Sequence, residues 1–525
     1  MLRYRPVRGG RTMLILLLAS AGLVFWSGHA SAYPFGETAT LFSQDGTANE
    51  SFGAAVAISG DGNTAAIGSP GGQTCGTVQV FVRDAGDTWS RQARLIPPTC
   101  SAGARFGSSM GLSTNGNRLI VGSPGSESVS VFSRSGTTWN WEAGWSRPYQ
   151  LIMGYGTSVD ISGDGNRVII GAPLFDYGGT RSGRAYLFDR NLAGSWVNQT
   201  VLGSADLYND RRFGESVSLR ADGLETIIGA PGANGTSSTV RFFYFDALND
   251  SWSEDDPRFF LQFDDAKVGA AVDMAAGGQF AAVGAPDSGS GKGALVPFRR
   301  ASAFGWTSDS VGPDDYPGIS AGDTLGAAVA TSSDGKIMLA GAPGAANGTG
   351  VVHAYGFVNS ISNPHWDDIV GTASPDPVIG DRFGSAVAVS NDGRTAVIGS
   401  PGADRSSLVD RGAAYVAQQT DFLLTVSKSG VGQITSNPAG INCGSTCAMT
   451  FNEGGTVNLT ATPGIGQIFT GWSGACSGTG ACQITMNSNK SVGASFSQAP
   501  GSISVQKQGL GFGTVTSTPG TCQVK

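Results

Sequence analysis

The stretch SFGAAVAISGDGNTAAIGSP, residues 51–70, opens on Phe-Gly, turns at Ser-Gly-Asp-Gly-Asn between two apolar runs, and closes on Gly-Ser-Pro. It recurs six times: RFGSSMGLSTNGNRLIVGSP at 105–124, GYGTSVDISGDGNRVIIGAP at 154–173, RFGESVSLRADGLETIIGAP at 212–231, KVGAAVDMAAGGQFAAVGAP at 267–286, TLGAAVATSSDGKIMLAGAP at 324–343 and RFGSAVAVSNDGRTAVIGSP at 382–401. The marker glycines are Gly53, Gly107, Gly156, Gly214, Gly269, Gly326 and Gly384, spaced by 54, 49, 58, 55, 57 and 58 residues. Seven copies at such even spacing specify a repeat architecture.

Each copy reads as four strands. The first follows Phe-Gly. Gly and Asn in the turn accept the positive φ that a hairpin needs. The second ends at proline, which cannot donate to a ladder. A third is carried by GTVQVFVR (76–83) and its equivalents SVSVFSR, GRAYLFDR, STVRFFYF, GALVPFRR, GVVHAYGF and GAAYVAQQ, and a fourth follows a tryptophan, as in WSRQARLI at 89–96. Four-stranded antiparallel units repeated radially form a β-propeller. The seventh unit lacks a fourth strand after 412–419, yet ETATLFSQDGTANESFG (37–53) aligns with RQARLIPPTCSAGARFG (91–107). The N-terminal strand is thus expected to complete the last unit and hide an open edge. The fold class read here is all-β: a seven-bladed β-propeller with a small all-β C-terminal module.

Composition agrees. Of 525 residues 80 are glycine, only 14% are charged, and net charge is −7. No basic stripe suited to nucleic acid is present. Residues 1–32 read as a signal peptide: Arg3, Arg5, Arg8 and Arg11 precede an apolar stretch at 13–26 and an Ala30-Ser31-Ala32 cleavage site. No later stretch has the ~18 continuous apolar residues of a membrane span, so the expected product is secreted or displayed at the cell surface.

Residues 33–419 form the propeller on this reading. Their motifs resemble FG-GAP repeats, found in integrin alpha-subunit propellers and many bacterial surface proteins. Calcium-binding members carry Asp-x-Asp-x-Asp-Gly between the first two strands. Here those turns hold one acid at most, Asp61, Asp164, Asp222, Asp334 or Asp392, too few for the six to eight oxygens calcium takes. No metal and no cofactor is expected, and the hairpins are expected to close on backbone geometry.

Residues 420–498, rich in Thr, Val and Gly and including FTGWSGACSGTGAC, resemble the divergent internalin-B-type bacterial repeat, a small extracellular β-module with Trp472 as a core candidate. Residues 499–525 restart the pattern as a truncated second copy. In an exported protein the cysteines are free to pair. Cys75 and Cys100 flank the third and fourth strands of one unit, which brings them together. Cys443 with Cys447 and Cys476 with Cys482 are the preferred local partners among three possible connectivities, and Cys522 is left free.

A catalytic constellation is hard to find. His353 and His365 lie in strand regions with no nucleophile motif nearby. DAGDTW (84–89) matches the tail of a sialidase Asp-box, but Val82 stands where that box has serine. Asp264-Asp265 and Asp314-Asp315 read as solvated loop acids. The expected function is therefore non-catalytic: a binding or adhesion platform for an extracellular protein or glycan. A carbohydrate-active propeller enzyme and a structural matrix protein are the alternatives. The connections between strands two and three, and from strand four to the next unit, are longest and share one face. Their Phe175, Tyr177, Tyr208, Arg211, Tyr316 and Arg405 are the candidate ligand residues, since aromatics and arginine dominate hot spots.

Overall fold

The computed structural model describes residues 35–500 and 508, apart from 45, 73, 148–152, 177–181, 204–210, 233–237, 256–265, 303–304, 309–318, 359–364, 405–407, 420, 445–446 and 453. The signal segment, Cys522 and the acid pairs 264–265 and 314–315 lie outside the described residues.

Between residues 35 and 419 the described strands form seven four-stranded antiparallel sheets. Sheet 1 is Ala55–Ile58, Thr64–Ser69, Thr77–Arg83 and Trp89–Leu95. Sheet 2 is Ser109–Leu112, Arg118–Ser123, Ser128–Ser135 and Thr138–Ser146. Sheet 3 is Val159–Ile161, Arg167–Ala172, Arg184–Arg190 and Trp196–Leu202. Sheet 4 is Ser216–Leu219, Glu225–Ala230, Thr239–Asp246 and Ser251–Glu254. Sheet 5 is Ala271–Met274, Phe280–Gly284, Leu295–Ser302 and Gly305–Ser308. Sheet 6 is Ala328–Thr331, Ile337–Ala342, Val351–Val358 and His365–Ala373. Sheet 7 takes Ala386–Val389, Thr395–Ser400 and Ala413–Gln419 from its own repeat and Phe35–Leu41 from the N-terminal end, with Phe35 opposite Gln419 and Leu41 opposite Ala414. The architecture is all-β and propeller-like.

The motif residues explain why the units stack. Each marker glycine has φ between 84° and 92°, and the amide of the residue after it donates to the carbonyl two residues before it, as Ala54 to Ser51. That is a turn with positive φ at its third residue, which glycine adopts without strain. The preceding large residue is driven inward. Phe52, Phe106, Tyr155, Phe213 and Phe383 are buried and meet Phe81, Phe132, Tyr186, Phe243 and Tyr415 of their own third strands edge-on. The glycine of Gly-Ser/Ala-Pro serves close approach. A Cβ at Gly68 would overlap the Gly107 carbonyl of sheet 2, and one at Gly399 would overlap the Gly53 carbonyl of sheet 1.

The short turns are more than backbone. In sheet 1 the Ser59 hydroxyl donates to Asp61, whose same oxygen accepts the Asn63 amide at 3.0 Å, while Ser59 Oγ accepts the Thr64 amide at 2.9 Å. The device recurs at Ser113/Asn115, Ser162/Asp164, Ser332/Asp334 and Ser390/Asp392. The expectation of closure on backbone geometry alone is corrected accordingly: a Ser–Asx side-chain lock holds each of these turns.

Beside these locks, backbone bonds run from sheet to sheet: Gly60 N–H to Thr114, Thr114 to Gly163, Gly163 to Ala221, Gly277 to Ser333, Ser333 to Asn391 and Asn391 to Gly60, each 2.7–3.0 Å. Among the described residues no such bond joins Ala221 to Ala276, where sheet 5 has Ala-Ala-Gly-Gly in place of the locked turn.

Residues 421–498 form two further four-stranded sheets around Leu424, Val426, Ile434, Leu459, Trp472 and Phe496. Asp421–Ser429 pairs with Lys490–Gln498 in parallel. Only residue 420 separates this module from Ala413–Gln419, and Asp421 meets Arg394 of sheet 7 at 2.6 Å.

Candidate functional site

Residues of all seven first strands line two neighbouring chambers of one channel. Gly53 and Ser59 donate away from the channel to their second strand, so the alternate amides of the first strand, at positions three and five after the marker glycine, face the channel. Val56, Met110 and the five valines at the same repeat position line both of its chambers. One chamber, about 260 Å³, opens beside the Phe-Gly turns; the other, about 270 Å³, lies toward the short turns.

At position four the repeats place Ala57, Gly111, Asp160, Ser218, Asp273, Ala330 and Ala388. Two carboxylates thus enter the second chamber from sheets 3 and 5, with a serine between them. Asp160 accepts the amide of Ile161 at 2.8 Å and that of Leu219 in sheet 4 at 2.7 Å. Ser218 accepts the Met274 amide of sheet 5 at 3.1 Å and donates to Asp273 at 3.2 Å. Asp273 accepts the Thr331 amide and hydroxyl of sheet 6 at 2.6 and 2.9 Å. Three consecutive interfaces, from sheet 3 to sheet 6, are stitched this way across the place where the backbone ring is interrupted.

Burial raises both acids, Asp160 to about 7 and Asp273 to about 6. The hydrogen bonds oppose the rise, and the negative charge of Asp273 adds to that of Asp160. Each keeps some accessible surface, and both line the second chamber. The pair can exchange protons near neutrality. Its oxygens are already committed to neighbouring backbone, so the geometry describes a structural latch. Sequence reading overlooked both residues; the signal was available, because lining up the seven copies leaves aspartate alone among Ala, Gly and Ser at one position.

The sequence-derived candidates fare unequally. Tyr177, Tyr208, Tyr316 and Arg405 lie outside the described residues. Phe175 is half-buried against the core between sheets 2 and 3, with the Arg184 guanidinium 5.4 Å from its ring, so packing occupies it. Arg211 is half-buried where sheet 4 begins, and its carbonyl accepts the Gly232 amide at 3.1 Å. These two are not brought together with the channel acids. His353 is buried beside Tyr355. Asp84 accepts the amides of Gly86 and Thr88, capping its hairpin.

On the short-turn side, Glu142 of sheet 2 receives Arg118 at 3.0 Å, Arg190 of sheet 3 at 2.7 Å and the Trp196 indole at 3.0 Å. Burial opposes its charge, but these donors win and hold its carboxyl below the usual range. The cysteines are bonded as Cys75–Cys100, Cys443–Cys447 and Cys476–Cys482. No group of three or more His, Cys, Asp or Glu suited to a metal occurs among the described residues. No helix among them is long and apolar enough to cross a membrane.

The FG-GAP repeat family matches residues 35–81, 153–188 and 366–417, and the divergent InlB B-repeat domain matches residues 422–500. No curated protein sequence matches the chain. Among solved structures, the chain is similar to Kuenenia stuttgartiensis hydrazine synthase at 12% identity and TM-score 0.44, over 70% of this chain and 96% of that one. The Myceliophteria thermophila Cps50 (Swd1) β-propeller domain is similar at 12% identity and TM-score 0.47, over 74% and 100%. The RRP9 WD40 repeats are similar at 11% identity and TM-score 0.46, over 74% and 99%.

Proposed function

We propose that this chain, which carries FG-GAP repeats followed by a divergent InlB B-repeat domain, is a secreted or surface-displayed binding protein. On this reading its seven sheets close into a seven-bladed propeller, which holds an extracellular protein or glycan on its long-loop face and performs no chemistry. Three contacts between sheets 7 and 1 support closure. They are the Asn391 to Gly60 bond, the approach of Gly399 to Gly53, and the packing of Ala386–Val389 on Ala55–Ile58.

One observation carries the assignment of faces. Ala413–Gln419 runs from the Phe-Gly side, where Gly412 bridges Phe52, to the short turns, where the Gln419 amide bonds Arg394. The C-terminal module therefore leaves from the short-turn face. Phe35, paired with Gln419, leaves from the same face. The connection to the C-terminal module occupies this side, and the variable loops are left on the other, where a rigid scaffold presents them.

The test is binding of the purified protein to a glycan array and to a panel of extracellular proteins, with a glycoside panel read for hydrolysis. Substituting Tyr177, Tyr208 and Tyr316 together by Ala abolishes binding if the long-loop face is the site, while Asp61→Ala and Asp392→Ala leave it intact. Turnover of a glycoside, or binding that follows Asp61 and Asp392 instead, overturns the reading.

A further inference from the structure

The residue two before each marker glycine is Ser51, Arg105, Gly154, Arg212, Lys267, Thr324 or Arg382, and all seven have φ between 50° and 66°. Glycine is the residue that adopts this left-handed region without strain, and Gly154 shows that the turn accepts it. Six copies nevertheless retain a side chain there, four of them cationic. Backbone strain kept where a cheaper residue fits points to work done by the side chain.

Two of the four cations are spent within the fold. Arg212 pairs with Glu215 at 2.8 Å, and Lys267 with Asp287 at 2.7 Å. The other two are not. In sheets 2 and 7 the motif reads Arg-Phe-Gly-Ser rather than Arg-Phe-Gly-Glu, and the Ser108 and Ser385 hydroxyls turn back to the carbonyls of Arg105 and Arg382, each 2.8 Å. Both arginines are exposed, with no ion pair to either guanidinium among the described residues. The acid next to Arg382 does not neutralise it: Asp381 is buried and accepts the Val378 amide at 3.3 Å. Sheets 7, 1 and 2 are consecutive, so the two guanidiniums flank the Phe-Gly turn of sheet 1. The strand ends and loops of sheet 7, on the Arg382 side, expose Phe42, Val378, Ile379 and Val409, the last bonded through its carbonyl to the Asn49 amide. The Asp404 and Asp410 side chains border it.

We propose that Arg105 and Arg382 form a guanidinium edge that receives the carboxylates of an acidic protein segment whose apolar side chains rest on Phe42, Val378, Ile379 and Val409. The proposal rests on the reading of the long-loop face as the binding face and names its partner chemistry. Guanidinium forks match carboxylates, and arginine is enriched in protein hot spots. A single exposed ion pair is weak and screened by salt. The apolar groups are what make the partner a protein segment and not a small anion.

The test uses the full mature chain and a labelled peptide in which glutamates alternate with pairs of leucine and serine, read by fluorescence anisotropy at low salt. Its controls are the same peptide with glutamine for glutamate, and polygalacturonate. The glutamate peptide is expected to bind. R105G/R382G is expected to lose about 10-fold in affinity with an unchanged or higher Tm, because glycine relieves the left-handed strain. Equal binding by the variant, or equal binding of the glutamine peptide, overturns the proposal. A lower Tm in R105G/R382G also overturns it, by making the arginines fold residues. Arginine-dependent binding of polygalacturonate but not of the peptide overturns the partner class. If the peptide fails while array partners still depend on Tyr177, Tyr208 and Tyr316, this inference falls and the binding face stands; if neither binds, the reading of the face falls as well.

Discussion

Replacing Asp160 and Asp273 by Asn should remove a specific part of the pH dependence of stability. Both acids have folded-state values raised by burial, to about 7 and about 6, above an ordinary 3.8. A group raised on folding contributes stability that is complete below its unfolded value and is lost as pH rises through its folded value. Stability should therefore fall from pH 5 to pH 8. At roughly 1.4 kcal/mol per unit, and allowing for the coupling between the two acids, the loss over that window is about 2–4 kcal/mol. For a ring of this size that corresponds to about 4 °C in Tm. The D160N/D273N variant is destabilised at pH 5, because Asp160 accepts the Ile161 and Leu219 amides with its two oxygens and an amide accepts with only one of its heavy atoms. The readout is the slope: thermal unfolding by circular dichroism at pH 5, 6, 7 and 8 should show the wild-type decline flattened in the variant. An unchanged slope would mean that the channel acids titrate as in bulk water, and the burial argument would be refuted.

Gly399→Ala should cost about 3 kcal/mol, as much as Gly68→Ala, because either Cβ overlaps the next marker-glycine carbonyl; a much cheaper Gly399→Ala in denaturant titration would show that sheets 7 and 1 are not packed like sheets 1 and 2. Glu142→Gln should lose about 2 kcal/mol at neutral pH by weakening the hold on Arg118, Arg190 and Trp196. Because the Glu142 carboxyl is held low, that contribution disappears as pH falls through its folded value, so variant and wild type should converge in acid. Chelator should leave the melting temperature unchanged, because the carboxylates of Asp61, Asp164 and Asp392 accept bonds from their own turns; a fall of several degrees would place a cation at those turns. Replacing Cys75 and Cys100 by Ser should cost about 3 kcal/mol, from the 25-residue separation they close, seen as a lower unfolding midpoint than that of the oxidised wild type.

The sequence by itself determined the repeat and its chemistry of turning. Seven marker-glycine motifs, four of them Phe-Gly, the glycine at each short turn and the proline after each second strand are local requirements of φ and hydrogen bonding, so a linear reading finds them. The N-terminal strand was legible for the same reason: 37–53 aligns with 91–107, and Phe35–Leu41 lies against Ala413–Gln419. The Ser–Asp locks are local in sequence too, but hydroxyl orientation is not encoded in a motif. What only the tertiary structure decided depends on convergence of distant strands. Asp160 and Asp273 stand 113 positions apart and acquire raised values because the first strands of sheets 3 and 5 bury them in one chamber. Phe175 looks like a free aromatic in its loop and is drawn into the core by Arg184 and sheet 2. Arg105 and Arg212 share the same motif. One is left exposed and the other is neutralised, because the residue three positions on is serine in one case and glutamate in the other, and only the folded turn brings that residue to the guanidinium.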